Sequence, residues 1–186
     1  AQTYSNLEII AADDASSDGT VAILRSYATR DPRLRILVNQ RNVGFAQNFE
    51  RALCHSRGAL IAPCDQDDVW LPDKLEALAA TINGRSMAYC DSTLVDEQGQ
   101  PLGYAMSRIV PMSSIDDPAP FAFGNCVSGH AMLFRRQLLD RALPVASNFF
   151  YDWWLAAVAA SMNGIEFCDR KLVLYRQHGG NVTNER

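Results

Sequence analysis

The sequence predicts an α/β domain, a mostly parallel sheet with helices on both faces. Short apolar runs alternate with segments of helical period from residue 6 to residue 82. That order, strand–helix–strand–helix–strand, implies right-handed crossovers and parallel pairing. Acids stand directly after two of the runs, Asp13-Asp14 after the first and Asp65, Asp67 and Asp68 after the third. In an open α/β sheet, ligands sit beyond the carboxyl ends of strands.

Residues 6–12 (NLEIIAA) are an apolar run bounded by turn-formers and read as a strand. Ser17 or Asp18 can cap a helix over 20–29, with Val21, Leu24 and Ala28 inward. Residues 34–39 form a second strand. Phe45, Phe49, Ala52 and Leu53 fall at helical spacing over 45–56, and Gly58 stands where a C-cap glycine belongs. The third strand, 60–64, carries the three acids. Residues 70–73 (WLPD) open the next helix, to 82, with Leu75, Leu78, Ala79 and Ile82 buried.

Residues 87–91 and 94–96 are strand-like, and Asp91 reads as a turn residue. From 103 to 123 prolines interrupt the pattern, which reads as a binding loop forming part of an acceptor wall. Residues 131–135 form a strand; His130 before it reads as a structural histidine. A short helix spans 137–142 and a longer one 151–162, with Asp152 at its start among aromatics. This residue is either a cap or a general base whose pKa apolar walls would raise. Strands at 166–168 and 171–175 precede Arg176 and His178 beside a glycine pair, a set that could line a diphosphate.

The stretch LIAPCDQDDVWLP, residues 60–72, is the chemical centre. Clustered carboxylates repel and resist burial. A divalent cation resolves that conflict, since Mg²⁺ takes one or two carboxylates together with phosphate oxygens. The stretch therefore reads as a strand that delivers a metal to a phosphate-bearing ligand, the bland alternative being that Asp65 or Asp68 only caps the next helix. Asp13 and Asp14 either shape a turn or accept hydrogen bonds from a nucleoside.

The 186 residues, 48% hydrophobic and 20% charged, fit one domain with a nucleotide and metal half at about 1–91 and an acceptor half at about 92–186. A net charge of −4 argues against a nucleic-acid partner. Five scattered cysteines form no C-x-x-C pair and read as free thiols in a reducing compartment. No apolar run reaches membrane-span length.

Together, QTYSNLEIIAADDASSDGT, NQRNVGFAQNFERAL, CDQDDVWLPDKLE, SGHAMLFRRQLL, YDWWLAAVAASMNG and YRQHGGN resemble family 2 glycosyltransferases of the Rossmann-like GT-A fold. The similarity is greatest to the bacterial subgroup that builds surface polysaccharides. The resemblance implies an inverting transfer from a nucleotide diphosphate sugar to a carbohydrate or lipid-linked acceptor, with Mg²⁺ or Mn²⁺ as cofactor. It implies a cytoplasmic location, with peripheral association at the inner membrane face. By resemblance, Asp13 and Asp14 hold the nucleoside, with Asp14 reaching the base. Asp65 and Asp67 are the D-x-D pair, Asp67 on the metal and Asp65 on the ribose or a metal-bound water. Asp152 is the base, Arg176 closes on the diphosphate, and His178 joins the metal set. Family members normally begin with a strand and helix ahead of the Q-T-Y-x-N stretch, so an N-terminally truncated domain is expected. Two other readings are an inactive nucleotide-binding remnant and an aspartyl-nucleophile phosphatase using Asp65 and Asp67, for which Lys171 and Asp169 are poor partners.

Overall fold

The computed structural model describes residues 2–146 and 149–180. β1 (Ile9–Asp13) and β2 (Leu34–Val38) pair in parallel through the crossover helix α1 (Thr20–Ala28), in the register Ile9 to Leu34 and Asp13 to Val38. Asp18 Oδ1 accepts the Thr20 N–H at 3.0 Å, which satisfies one donor at the helix start. Val21, Leu24 and Ala28 face inward but are only half-buried, while Ile23 and Tyr27 are exposed.

α2 (Phe45–His55) follows Gly44, whose φ of 87° suits glycine. The helix ends earlier than Gly58: the Ser56 hydroxyl donates to the Leu53 carbonyl at 2.6 Å, and Ser56 is the cap. Gly58 serves close approach instead. A Cβ there would lie 2.8 Å from the Leu60 carbonyl oxygen.

The second sheet runs β3 (Leu60–Ile61), β7 (Met132–Arg135), β5 (Met87–Val95), β8 (Ile165–Arg176), β4 (Val69–Trp70), with β6 (Pro101–Ala105) also on β5. The α/β class holds, with a different balance of strand directions. β1/β2 and β5/β8 are parallel; β3/β7, β4/β8, β5/β6 and β5/β7 are antiparallel. Apolar runs carry no direction, and strand–helix alternation is regular only in the first half of the chain.

Alternation across the sheet builds two apolar layers. Met87, Tyr89, Met132, Phe134 and Ile165 pack with Leu53 of α2 and with Leu155, Ala156 and Ala159 of α5 (Tyr151–Ser161). Ala88, Cys90, Leu133 and Leu172 pack with Leu78 and Ile82, at and just beyond the end of α3 (Lys74–Thr81). Each fully buried Leu or Ile contributes roughly 1.5–3 kcal/mol. α4 (Leu139–Ala142) is a single turn.

Several boundaries moved for local reasons. Val69 and Trp70 extend to pair with Leu174 and Val173, and Pro72 disfavours helix at Leu71, so α3 begins only at Lys74. The two strands expected around Asp91 are one, with a register shift there. Asp91 is no turn residue. Its buried carboxylate accepts from the Ser92 and Ser107 N–H groups and the Ser107 hydroxyl. No helix among the described residues is long and apolar enough to cross a membrane.

Candidate active site

At the end of β1 the two acids have different tasks. Asp14 accepts three hydrogen bonds at 2.8 Å, from the Asn39 amide, the Val43 N–H and the Gly44 N–H. Burial would raise its pKa, but these donors outweigh that and hold the carboxyl below its usual range. Asp14 thus shapes the loop before α2, with a lone pair of Oδ2 left over. Asp13 is buried and accepts the Ser16 N–H at 3.1 Å through Oδ2, while Oδ1 has no hydrogen-bond partner. Ala15 beside them has φ 62°, a left-handed conformation uncommon outside glycine and concentrated at functional sites. An open cleft of about 560 Å³ lined by Asn39, Gln40, Arg41 and Val43 lies past the end of β2.

The D-x-D-D loop joins β3 to β4. Asp65, Asp68 and His130 bring one ligand atom each within 4.8 Å of one another. The Asp68 side chain is wholly out of solvent, and its Oδ2 has no hydrogen bond, although His130 Nδ1 lies 3.2 Å away. Burial raises the Asp68 pKa, and Asp65 and Asp67 add to it, against His130 and the Arg176 N–H. A cation here would reverse that balance, so an acidic cluster with an orphaned oxygen fits a hard divalent ion.

Asp67 turns the other way. Its Oδ2 lies 2.7 Å from His178 Nε2, and His178 Nδ1 accepts the Gly180 N–H at 3.0 Å. The network thus places the His178 proton on Nε2. Arg176 ties the end of β8 to the same loop: its N–H donates to Asp68 Oδ1 at 2.9 Å and its Nε to the Asp67 carbonyl at 2.8 Å. One further guanidinium nitrogen donates to the Glu97 carbonyl at 2.7 Å. Arg176 therefore has the bonding of a strut across the site.

Asp152, in the first turn of α5, accepts the Trp153 N–H through Oδ1 at 2.7 Å and the Gly129 N–H through Oδ2 at 3.1 Å. The cap position belongs to Phe150. Burial raises the Asp152 pKa, the two N–H donors oppose this, and nearby Asp65 raises it further. The D-x-D-D loop and α5 thus meet at one site. Gly129 is required there, because a Cβ would lie 2.1 Å from the Tyr151 hydroxyl and 2.9 Å from its Cζ. Tyr151 cannot retreat, being buried and stacked on Phe49 at 4.2 Å. Gly129→Ala should cost about 1–3 kcal/mol by overpacking. Tyr151→Phe in the same chain should recover part of it, since the nearest atom is gone. Urea midpoints of the four proteins test this, and strictly additive changes would refute the clash.

Lys74 escaped the sequence reading. It is fully buried, donates to the His130 carbonyl at 2.7 Å and stands 3.3 Å over the Trp70 ring. The signal was present, because Lys74, Leu78 and Ile82 repeat at i, i+4, i+8 on the buried face. Burial lowers the Lys74 pKa from 10.5 to about 8, against the pull of Cys90, Cys64, Asp68 and Asp65. Between those values the unfolded chain holds a proton that the native one has shed, so this group's contribution to stability rises with pH, by roughly 3 kcal/mol across the window. Denaturant melts of wild type and Lys74→Met at pH 8 and 10.5 should differ by that slope; identical pH profiles would refute it.

The structure thus brings Asp65, Asp68, His130, Asp152 and Lys74 together, with Asp67, Arg176 and His178 on the adjoining flank. Asp13 and Asp14 stand at the end of a separate sheet. The profile of Glycosyl transferase family 2 matches residues 1–143. An uncharacterized protein of Mycobacterium bovis is 29% identical over 188 residues, covering 97% of this chain and 53% of the relative. TuaG of Bacillus subtilis, named as a teichuronic acid biosynthesis glycosyltransferase, is 35% identical over 103 residues, 54% of this chain and 41% of its own length. Staphylococcus aureus TarS 1–349 in complex with UDP-GlcNAc superposes with a TM-score of 0.74 at 18% identity, over 97% of this chain and 53% of TarS. The mannosyltransferase PcManGT of Pyrobaculum calidifontis, in complex with GDP-Man and Mn²⁺, superposes at 0.65 and 20% identity, over 95% of this chain and 49% of its own. The chain spans about half the length of the first of these relatives and of both solved structures. With most of its length matched by that profile and its α/β architecture shared with these GT-A transferases, the chain belongs to glycosyl transferase family 2.

Proposed function

We propose that this chain carries the nucleotide-sugar and catalytic groups of an inverting glycosyltransferase that acts on surface polysaccharide. The observation that carries the reading is the convergence of the D-x-D-D loop, Asp152 and the end of β8 on one partly buried acidic site. Structures of TarS with UDP-GlcNAc and of PcManGT with GDP-Man and Mn²⁺ support a nucleotide-sugar donor, and the name of TuaG supports a cell-surface product.

Asp13, through its partnerless Oδ1, accepts from the nucleoside, while Asp14 holds the loop that faces it. Asp65, Asp67 and His178 would hold Mg²⁺ or Mn²⁺, which requires Asp67 to leave its present contact with His178 and turn toward Asp65, with Asp68 and His130, the neighbours of Asp65 here, standing behind them. Bound there, the ion offsets charge growing on the leaving diphosphate. Asp152 takes the proton of the acceptor hydroxyl as that oxygen attacks the anomeric carbon from the face opposite the diphosphate, inverting the centre. Its raised pKa suits a proton acceptor. The acceptor is a carbohydrate or lipid-linked sugar, reached at the inner face of the membrane.

A thermal-shift panel of UDP- and GDP-sugars, with and without Mn²⁺, tests the reading. A ligand bound only by the native state at 100 times its Kd adds about 2.7 kcal/mol of stability. A shift that needs both nucleotide and Mn²⁺ is expected. No shift with any nucleotide, or shifts indifferent to the metal, would refute it.

A further inference from the structure

The short turn Gly129–Ala131 touches Asp152, Lys74 and the Asp65–Asp68 pair. The His130 side chain is 2% exposed and is held on each side. Its Nε2 lies 3.0 Å from the Ser92 hydroxyl, itself buried, and its ring packs on Tyr175 with centroids 4.4 Å apart. The backbone is held as well, since Lys74 Nζ donates to the His130 carbonyl at 2.7 Å. So constrained, Nδ1 has one direction to face, toward Asp68 Oδ2 at 3.2 Å and Asp65 Oδ2 at 3.7 Å. Asp68 Oδ2 is buried and has no hydrogen bond. One residue earlier, the Gly129 N–H grips Asp152 Oδ2.

A buried histidine–carboxylate contact is a poor way to gain stability, because desolvation consumes most of the attraction; its better use is to fix one arrangement among several. Asp68 in turn fixes its neighbours. Its Oδ1 accepts the Arg176 N–H, and Asp67 directly before it carries the contact to His178. We infer that His130 is a positioning residue of this site: through Asp68 it sets where the D-x-D-D loop stands relative to the Gly129–Asp152 contact. This rests on the reading of Asp65 and Asp67 as metal ligands given above. The ring acts on the ion only by way of the loop, as partners behind a metal's ligands do, and loss of such a partner costs about 10–100-fold in metal affinity.

The probe is Mn²⁺ alone, titrated calorimetrically into the full chain. His130→Ala should weaken Mn²⁺ binding at least about tenfold. His130→Asn should restore most of it, because the amide nitrogen falls near the place of Nδ1 and keeps a polar N–H facing Asp68. In an Asp68→Asn background, His130→Ala should change little further, because the path through Asp68 is already cut. If His130→Ala does not fold, His130→Leu fills the same volume and takes its place. Equal losses in the Ala and Asn variants would make His130 a direct ligand and overturn the proposal. Additive losses with Asp68→Asn would overturn it too, as would unchanged Mn²⁺ affinity in a variant that only melts earlier. Asp67→Asn, run alongside, separates the two ideas. If it binds Mn²⁺ like wild type, the ligand assignment falls while the His130–Asp68 comparison still decides. A wild-type chain that binds no Mn²⁺ overturns both.

Discussion

Asp152→Asn is expected to lower turnover by about 10²–10⁴-fold, the usual cost of removing a general base. Nucleotide-sugar affinity should stay within a few-fold, since the proposed base meets the acceptor hydroxyl. The geometry adds a second expectation. Both carboxylate oxygens accept a backbone N–H, from Trp153 and from Gly129. An asparagine keeps one acceptor and turns an NH₂ group toward the other donor. That leaves a buried N–H unsatisfied at about 1–3 kcal/mol, so the variant should also melt earlier. Turnover must therefore be measured well below the melting transition, with donor binding determined separately. In wild type, burial raises the Asp152 pKa above its ordinary 3.8. A base works only when deprotonated, so the acid limb of the pH–rate profile should lie above that value and vanish in the variant. Turnover within a few-fold of wild type would remove Asp152 from catalysis. Loss of donor binding along with turnover would move it to the donor site.

Asp67→Asn is expected to abolish the metal dependence of nucleotide binding, because a neutral amide is a poor ligand for a hard cation. The variant is informative because its oxygen still accepts the His178 Nε2–H, now 2.7 Å from Asp67 Oδ2. Residues 177–180, past β8, should stay in place, so a change in affinity reports on the metal. His178 must present a lone pair to ligate, and here its Nε2 carries the proton while Nδ1 accepts from Gly180. For Nε2 to ligate, the ring would shift its proton to Nδ1 and give up the Gly180 contact, a tautomer change that releases no net proton. Calorimetry of UDP and GDP binding with and without Mn²⁺ reads the metal dependence directly. An unchanged Mn²⁺-dependent gain in Asp67→Asn would exclude Asp67 as a ligand.

Much of this was legible in the residues alone. Apolar runs ending at acids located the acidic clusters at the ends of β1 and β3, because a strand's terminus and a change of polarity are local events. Helical spacing located α1, α2, α3 and α5 to within a few residues. What short-range pattern could not supply was direction and partnership. Val69 and Trp70 are extended only because β8 lies beside them, and Asp91 sits inside a strand because Ser107 reaches it from the turn after β6. In the same way the sequence could not show that Asp14, matched by resemblance to the nucleoside base, accepts donors from a loop about thirty residues away, or that Asp13 keeps a buried oxygen without a partner.

The sequence by itself determined the family, the α/β class and the acidic character of the site, since each rests on residue types in order along the chain. Only the tertiary structure decided which acids meet. It placed Asp68 rather than Asp67 against His130, set Asp152 on the Gly129 N–H next to that histidine, and buried Lys74 under the turn that joins them. The physical reason is that a carboxylate's role follows from its burial and from the donors around it. Those donors come from β8, the turn before β7 and the first turn of α5, segments far apart in the chain that only the packed sheet brings together.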